Sequence, residues 1–200
     1  DCFLNWSTHL TFLSKKLSKA TGMLSKIRHY VDWNTLHMVY FGIFSSIMSY
    51  GSQIWGKLNN ITKKVQVLQN KALRIMHFQP PRTSATPLFK ISEILKITDL
   101  VSLQNFLFAY DSLNDNLPLP LRGKLNFLNR ENQITRNLGY LQLSRRRTKT
   151  VTYGTKSIYS KSVDVWNCIN RSHYTKVLHE KSRNVCKNFV KKIMIDKYEA

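Results

Sequence analysis

The reading of this chain turns on LHMVYFGIFSSIMSYGSQIWGKLNNITKKVQVLQNKALRIM, residues 36–76. Its first half, as far as Gly56, holds no Asp, Glu, Lys or Arg, whereas the second sets Lys63, Lys64, Lys71 and Arg74 beside Ile61, Val65, Leu68, Ala72 and Ile75. Apolar residues three and four apart with cations between them describe a helix with an inward seam and a basic outer face. An uncharged segment of this length belongs in a core or a membrane. A span needs about 20 predominantly apolar residues, and Ser45, Ser46, Ser49, Ser52 and Gln53 interrupt this one. The stretch therefore predicts a buried helix, with Leu36, Val39, Tyr40, Ile43, Ile47 and Tyr50 facing inward, that delivers a basic helix over 60–78. Gly51 and Gly56 bracket the end of the first, Pro80-Pro81 stops the second, and the short connection predicts antiparallel packing.

Working outward toward the start, Phe3, Trp6, Leu10, Leu13, Leu17, Ala20, Leu24, Ile27 and Val31 alternate at spacings of three and four, which predicts a helix packed along one seam. Lys15, Lys16, Lys19 and Lys26 fall off that seam. Asp32 and Asn34 are both candidate caps for the helix that follows. Toward the end, residues 87–96 predict a short helix and 98–113 a longer one with Leu100, Leu103, Leu107 and Tyr110 inward. Asn114-Asp115-Asn116 and two prolines then suggest a boundary near 117. The fold class predicted is mainly α: an antiparallel helical bundle over 1–116, followed by a mixed, basic C-terminal subdomain over 117–200. There, 148–153 alternates as a strand or a loop would, Trp166 reads as a core anchor, and a last helix over 180–198 interleaves Arg183, Lys187, Lys191 and Lys192 with Val185, Phe189, Ile193 and Ile195.

Composition limits the partners. Of 200 residues, 42% are apolar and 12% aromatic, enough for one substantial core or two small ones. With 31 Lys and Arg against 11 Asp and Glu, the formal charge of +20 favours a polyanionic partner, nucleic acid before an anionic membrane. The densest cationic cluster is Arg145-Arg146-Arg147 with Lys149, read as a phosphate contact, with a nuclear-targeting patch or a solvated loop as alternatives. Cys2, Cys168 and Cys186 show no C-x-x-C spacing, which suggests a reducing, intracellular setting. Cys168, His173, His179 and Cys186 lie close in sequence, but their spacing fits no short zinc knuckle. His9, His29, His37 and His77 have no adjacent Ser, Cys or Asp arrangement that suggests a nucleophile and base, and predict packing or surface roles. The chain opens on Asp1 and reads as a piece of something longer.

Taken in order, Asp1-x-x-Leu4-x-Trp6-x-x-His9, Lys16-Leu17-Ser18-Lys19, Gly22-Met23-Leu24-Ser25-Lys26-Ile27-Arg28, Ser49-Tyr50-Gly51 with Trp55-Gly56, and Leu68-Gln69-Asn70-Lys71-Ala72-Leu73-Arg74-Ile75 form a series. With Pro87-Leu88-Phe89, Ile94-Leu95, Thr135-Arg136 and Trp166-Asn167 it resembles the region downstream of the catalytic core in LINE-type (non-LTR) retrotransposon reverse transcriptases. The resemblance implies a thumb and C-terminal extension gripping template and growing strand. It implies nucleic acid as partner (an RNA template, an RNA–DNA hybrid or a DNA target), upstream palm and fingers domains, a nuclear location, and no membrane.

Such an RNA-directed DNA polymerase, a nucleotidyltransferase, uses Mg held by a paired Asp-Asp. This chain has no such pair: Asp1, Asp32, Asp99, Asp111, Asp115, Asp164 and Asp196 are scattered. The piece alone is thus expected to have no catalytic residue, no cofactor and no polymerase activity. Its expected nucleic-acid contacts are Lys16, Lys19, Lys26, Lys64, Lys71 and Arg74, cradling a duplex, with Arg145, Arg146, Arg147 and Lys149 adding grip. The alternative is a non-catalytic helical interaction module or a degenerate retroelement relic.

Overall fold

A computed structural model of the chain describes residues 6–56, 59–126, 143–144, 149–150, 154, 157–172 and 182–198. It is mainly α: α1 (Ser7–Ile27), α2 (Trp33–Val39), a π-helical segment (Tyr40–Ser45) running into α3 (Ser46–Ser49), α4 (Ser52–Trp55), α5 (Asn59–Met76), α6 (Thr86–Ile91), α7 (Ile97–Leu113), a 3-10 turn (Leu119–Leu121), α8 (Ile158–Ser172) and α9 (Arg183–Asp196). The described residues contain no strand, and the alternation at 148–153 lies mostly outside them. The chain divides into two compact units, Asp1–Val101 with Ile193–Ala200, and Ser102–Lys192. The turn-rich stretch at 114–120, read as a boundary near 117, therefore falls inside the second unit.

In the first unit α1 buries Leu10, Leu13, Leu17, Ala20 and Leu24, the predicted seam. Each covered leucine contributes about 1.5–3 kcal/mol, and Leu17→Ala would cost about 2–5 kcal/mol. The helix ends at Ile27, four residues short of the seam's last predicted member, Val31. Asp32 caps α2, accepting from the backbone N–H of Asn34 and Thr35 at 3.1 and 3.4 Å. These bonds also hold its carboxyl below the usual carboxylate range. Trp33, at the start of α2, meets His77 just past the end of α5, so those two helices run antiparallel, as predicted. Arg28 at the end of α1 donates to the carbonyl of Ile75 near the end of α5 at 3.0 Å, so α1 and α5 run parallel. At the opposite end His9 lies between Trp6 and Trp55.

The inner face of the uncharged helix differs from the prediction. Leu36, Tyr40, Phe44 and Met48 are buried, while Val39, Ile43 and Ile47 are half-buried and Tyr50 is exposed. A column of residues four apart drifts by about 40° per step on a regular α-helix and would leave the core by Met48. The π-helical turns at Tyr40–Ser45 close on i→i+5 bonds and take up the extra residue, so the column stays inward. The helix ends at Gly51, whose φ of 61° suits glycine. Trp55 Nε1 donates to the Tyr50 carbonyl at 2.9 Å. A side chain at Gly56 would place its Cβ 2.5 Å from Val101 Cγ2.

Gln69 joins this frame at its centre. Fully buried, it donates through Nε2 to Tyr40 Oη at 3.1 Å and to the Leu95 carbonyl at 2.8 Å, and accepts from the Ile97 N–H at 3.0 Å. One carboxamide thus ties α5 to the π-helical segment and to the connection entering α7. Burial pushes the Tyr40 phenol well above its usual range. Leu88, Phe89, Ile94 and Leu95 fill the space beside this connection. Tyr198 then donates to Asp99 and accepts from the Lys96 N–H at 3.0 Å, returning the C-terminal end to this unit.

Helices α5, α6 and α7 share one ending. Phe78, Glu93 and Asp115 adopt φ of 55°, 50° and 54°. Gln79, Ile94 and Asn116 donate back to the carbonyls of Arg74, Phe89 and Asp111 at 2.8, 3.0 and 2.9 Å. This is the left-handed cap that normally favours glycine.

The second unit is built on Trp166, buried and stacked on Phe106 with centroids 5.0 Å apart, the core anchor predicted. Neighbouring Asn167 brackets Leu143, accepting from its N–H at 2.8 Å and donating to its carbonyl at 3.1 Å. In α7 the buried set is wider than predicted: Val101, Phe106 and Ala109 join Leu103, Leu107 and Tyr110, while Leu100 is half-buried. In α9 the predicted face is shifted, because Cys186, Val190 and Met194, four residues apart, are buried whereas Val185 and Phe189 are exposed. The exposed Arg183–Asp111 pair at 2.9 Å adds little stability.

Candidate nucleic-acid interface

Between Cys2 and Thr98 the only acidic residues are Asp32 and Glu93, and neither lies on α1 or α5. Lysines on these two helices therefore have no local counter-charge. On α1, Lys15, Lys19 and Lys26 are exposed, and at 3.6 residues per turn they fall within about 40° of one another, pointing away from the buried leucines. Lys19 and Lys26 are about 10 Å apart along the axis, roughly three nucleotide steps of 3.4 Å. On α5, Lys64 and Lys71 are exposed and differ by only about 20° in direction.

These are two basic ridges on the outer faces of neighbouring parallel helices. Two of the predicted contacts have neighbours within the protein. Lys16, about 100° around the helix from Lys15, lies over the exposed Phe12 ring with its Nζ 4.4 Å from the centroid. Arg74 is half-buried and its Nε donates to the Thr83 carbonyl at 2.6 Å, which fastens the loop after α5 back onto the helix. Lys149 is exposed in the second unit, and Arg145, Arg146 and Arg147 lie outside the described residues.

The structure also assembles groups that the sequence leaves apart. His77 Nε2 lies 2.6 Å from Ser92 Oγ, and His37 Nε2 donates to the Ser92 carbonyl at 3.0 Å. Burial, with His37 nearby, holds His77 below the usual imidazole value of 6.5. A serine–histidine contact of this length invites a nucleophile reading. Ser92 is only 4% exposed and no carboxylate among the described residues orients His77, so the pair acts as a joint between the ends of α5 and α6. Fifteen residues separate its members, and no local spacing signals the contact.

Of the four residues weighed for zinc, Cys168 is exposed and Cys186 buried, neither in a disulfide, while His173 and His179 lie outside the described residues. Among the described residues no His, Cys, Asp or Glu cluster is arranged to hold a metal, and no helix is long and apolar enough to cross a membrane. Comparison with family models, known proteins and solved structures finds no match.

Proposed function

We propose that the chain is the nucleic-acid-gripping C-terminal part of a non-LTR retrotransposon RNA-directed DNA polymerase, holding a template–primer duplex on the lysine ridges of α1 and α5. One observation carries this reading. Lys15, Lys19 and Lys26 on α1, and Lys64 and Lys71 on α5, stand outward in line on two packed helices that hold no carboxylate. Aligned cations without local partners attract phosphates and release condensed counterions, a sequence-independent mode of binding. The ordered motifs from Trp6 to Asn167 support the assignment to this class of polymerase. Chemistry would come from the palm domain and its Mg, so this chain alone is predicted to incorporate no nucleotide.

The test is the salt dependence of binding to an RNA–DNA hybrid. Lys64→Gln and Lys71→Gln together should flatten the slope of log K against log salt by about two units, at about 0.9 per phosphate contact. Arg74→Gln should leave the slope alone and act on stability, because its Nε serves Thr83. An unchanged slope in the double lysine variant refutes the reading.

The exposed Phe12, Met23 and Val67 on the same two helices favour a second reading, a protein-interaction module. Under it, Val67→Asp would abolish partner capture while hybrid affinity in the wild type stays at the level of any basic protein.

A further inference from the structure

At the end of the first unit where α1 and α5 terminate, the structure holds a file of rings that the lysine ridges do not use. It begins with His29, edge-on to Phe78 at 5.3 Å. From Phe78 it passes through the adjacent His77 to Trp33, whose ring lies 4.6 Å from that of His77. It then follows α2 through His37 to Phe41, with centroids 5.7 and 4.9 Å apart. Trp33, Phe41 and Phe78 are 39%, 41% and 56% exposed, whereas Tyr40, Phe44, Trp55 and Phe89 nearby in the chain are fully covered.

A cation is fixed beside these rings. The Arg28 guanidinium lies 4.7 Å from the Phe78 centroid, held there by its bonds to the Ile75 carbonyl at 3.0 Å and to His29 at 3.2 Å. Exposed Arg82 in the loop after α5 adds positive charge. The acidic groups of this unit near these segments are Asp32, whose carboxylate is engaged by the N–H groups of Asn34 and Thr35, and Glu93, next to Ser92.

Rings left in water lose the apolar burial that stabilises the rest of the bundle. What covers them must bring flat apolar faces and negative charge together. Unpaired nucleotides do this, since every base has a π face and every linkage a phosphate. We propose that this ring file binds single-stranded RNA or DNA, with bases stacking on Trp33 and Phe78 and a phosphate meeting Arg28. The surface differs from the duplex-binding ridges in residues and in ligand, so either can fail without the other.

The experiment uses the full chain with fluorescently labelled oligouridylate and oligothymidylate, neither of which forms duplex. Binding is read by anisotropy and by quenching of intrinsic tryptophan emission. Of the four tryptophans, Trp55 and Trp166 are 1% exposed and Trp6 is half-buried, so the quenching that Trp33→Ala removes is the part that reports on Trp33. Stacking is worth about 1–3 kcal/mol per base, so Trp33→Ala and Phe78→Ala should each weaken binding about 5- to 150-fold. Trp33→Phe, which keeps an aromatic face, should retain most of the affinity, and hybrid binding should be unchanged by Trp33→Ala. A preference for uridylate or thymidylate identifies which strand type the file takes.

Circular dichroism confirms that each variant folds. The proposal is overturned if the wild type binds neither oligonucleotide, or if Trp33→Ala and Phe78→Ala bind as the wild type does. It is overturned equally if Trp33→Phe is as damaging as Trp33→Ala, because the ring face is then not the contact. Sedimentation showing a dimer that Trp33→Ala dissolves, with oligonucleotide affinity intact, would reassign the file to contact between two copies of the chain.

Discussion

Replacing Gln69 with leucine tests the fold at its most connected residue. The side chains are close in volume, so the change removes hydrogen bonds rather than packing. It strands the Ile97 N–H, the Leu95 carbonyl and the Tyr40 hydroxyl, which belong to residues 0%, 7% and 0% exposed. An unsatisfied buried polar group costs about 1–3 kcal/mol, giving about 3–9 kcal/mol for the three. The added apolar burial offsets about 1 kcal/mol of that. A net loss near 5 kcal/mol corresponds to a melting temperature lower by roughly 10–20 °C in a chain of this size. Because two compact units can unfold separately, the measurement is urea unfolding by circular dichroism, with hydrogen exchange of α5 amides assigning the transition to the first unit.

Tyr40 supplies the control. In the wild type, Tyr40→Phe removes one of the three bonds made by Gln69 and should cost about 1 kcal/mol. Once Gln69→Leu has been made, the Tyr40 hydroxyl is itself stranded, and adding Tyr40→Phe should be neutral or stabilising. That reversal of sign is specific to a shared polar network. A Gln69→Leu chain as stable as the wild type would refute the reasoning.

Gly56→Ala should destabilise the first unit by about 1–3 kcal/mol in the same unfolding assay, since its Cβ would be forced onto Val101 and the Ser52 carbonyl. Glu93→Gly should act in the opposite direction. Glu93 is exposed with a φ of 50°; relief of left-handed strain, less the entropy of glycine in the unfolded chain, should stabilise by about 0.5–1 kcal/mol. His77 should make stability fall on the acid side. Its folded pKa lies below 6.5 because of burial and the proximity of His37, so the unfolded chain takes up the proton first. The contribution is complete above pH 6.5 and is lost as the pH drops below it; His77→Gln should remove that component of a stability-against-pH curve.

Much of the fold was legible because α1 obeys simple rules. Leu10, Leu13, Leu17, Ala20 and Leu24 keep the spacing of a regular helix, and the structure buries all five. The inner face of the next helix was not, and the reason is physical. Phe44 and Met48 sit at four-residue steps from Leu36 and Tyr40, a pattern that a 3.6-residue period assigns to the flank. Only a π-helical stretch returns them to the core, and periodicity analysis assumes the turn that this segment violates. In α7 the failure has another source. Val101, Leu103, Phe106, Leu107, Ala109 and Tyr110 are buried around most of the helix, so a search for one face finds only part of it.

The candidate site shows where spacing stops being informative. Lys64, Lys71 and Arg74 share a side of α5, and from sequence alone they have equal claims on a phosphate. Their fates separate at a loop that the helix itself does not encode: Pro80 and Pro81 turn the chain so that Thr83 meets Arg74. The arginine is thereby committed to the fold, while the two lysines stay in solvent. The same logic divides the histidines, since His37 and His77 gain a partner only when α6 delivers Ser92, and Trp33 comes against His77 as α2 and α5 pack. A charge is available to a ligand when its own fold has no use for it. By that criterion Lys19, Lys26, Lys64 and Lys71 hold the strongest claim to phosphate and Arg74 the weakest, an ordering that single substitutions to glutamine should reproduce in the salt slope.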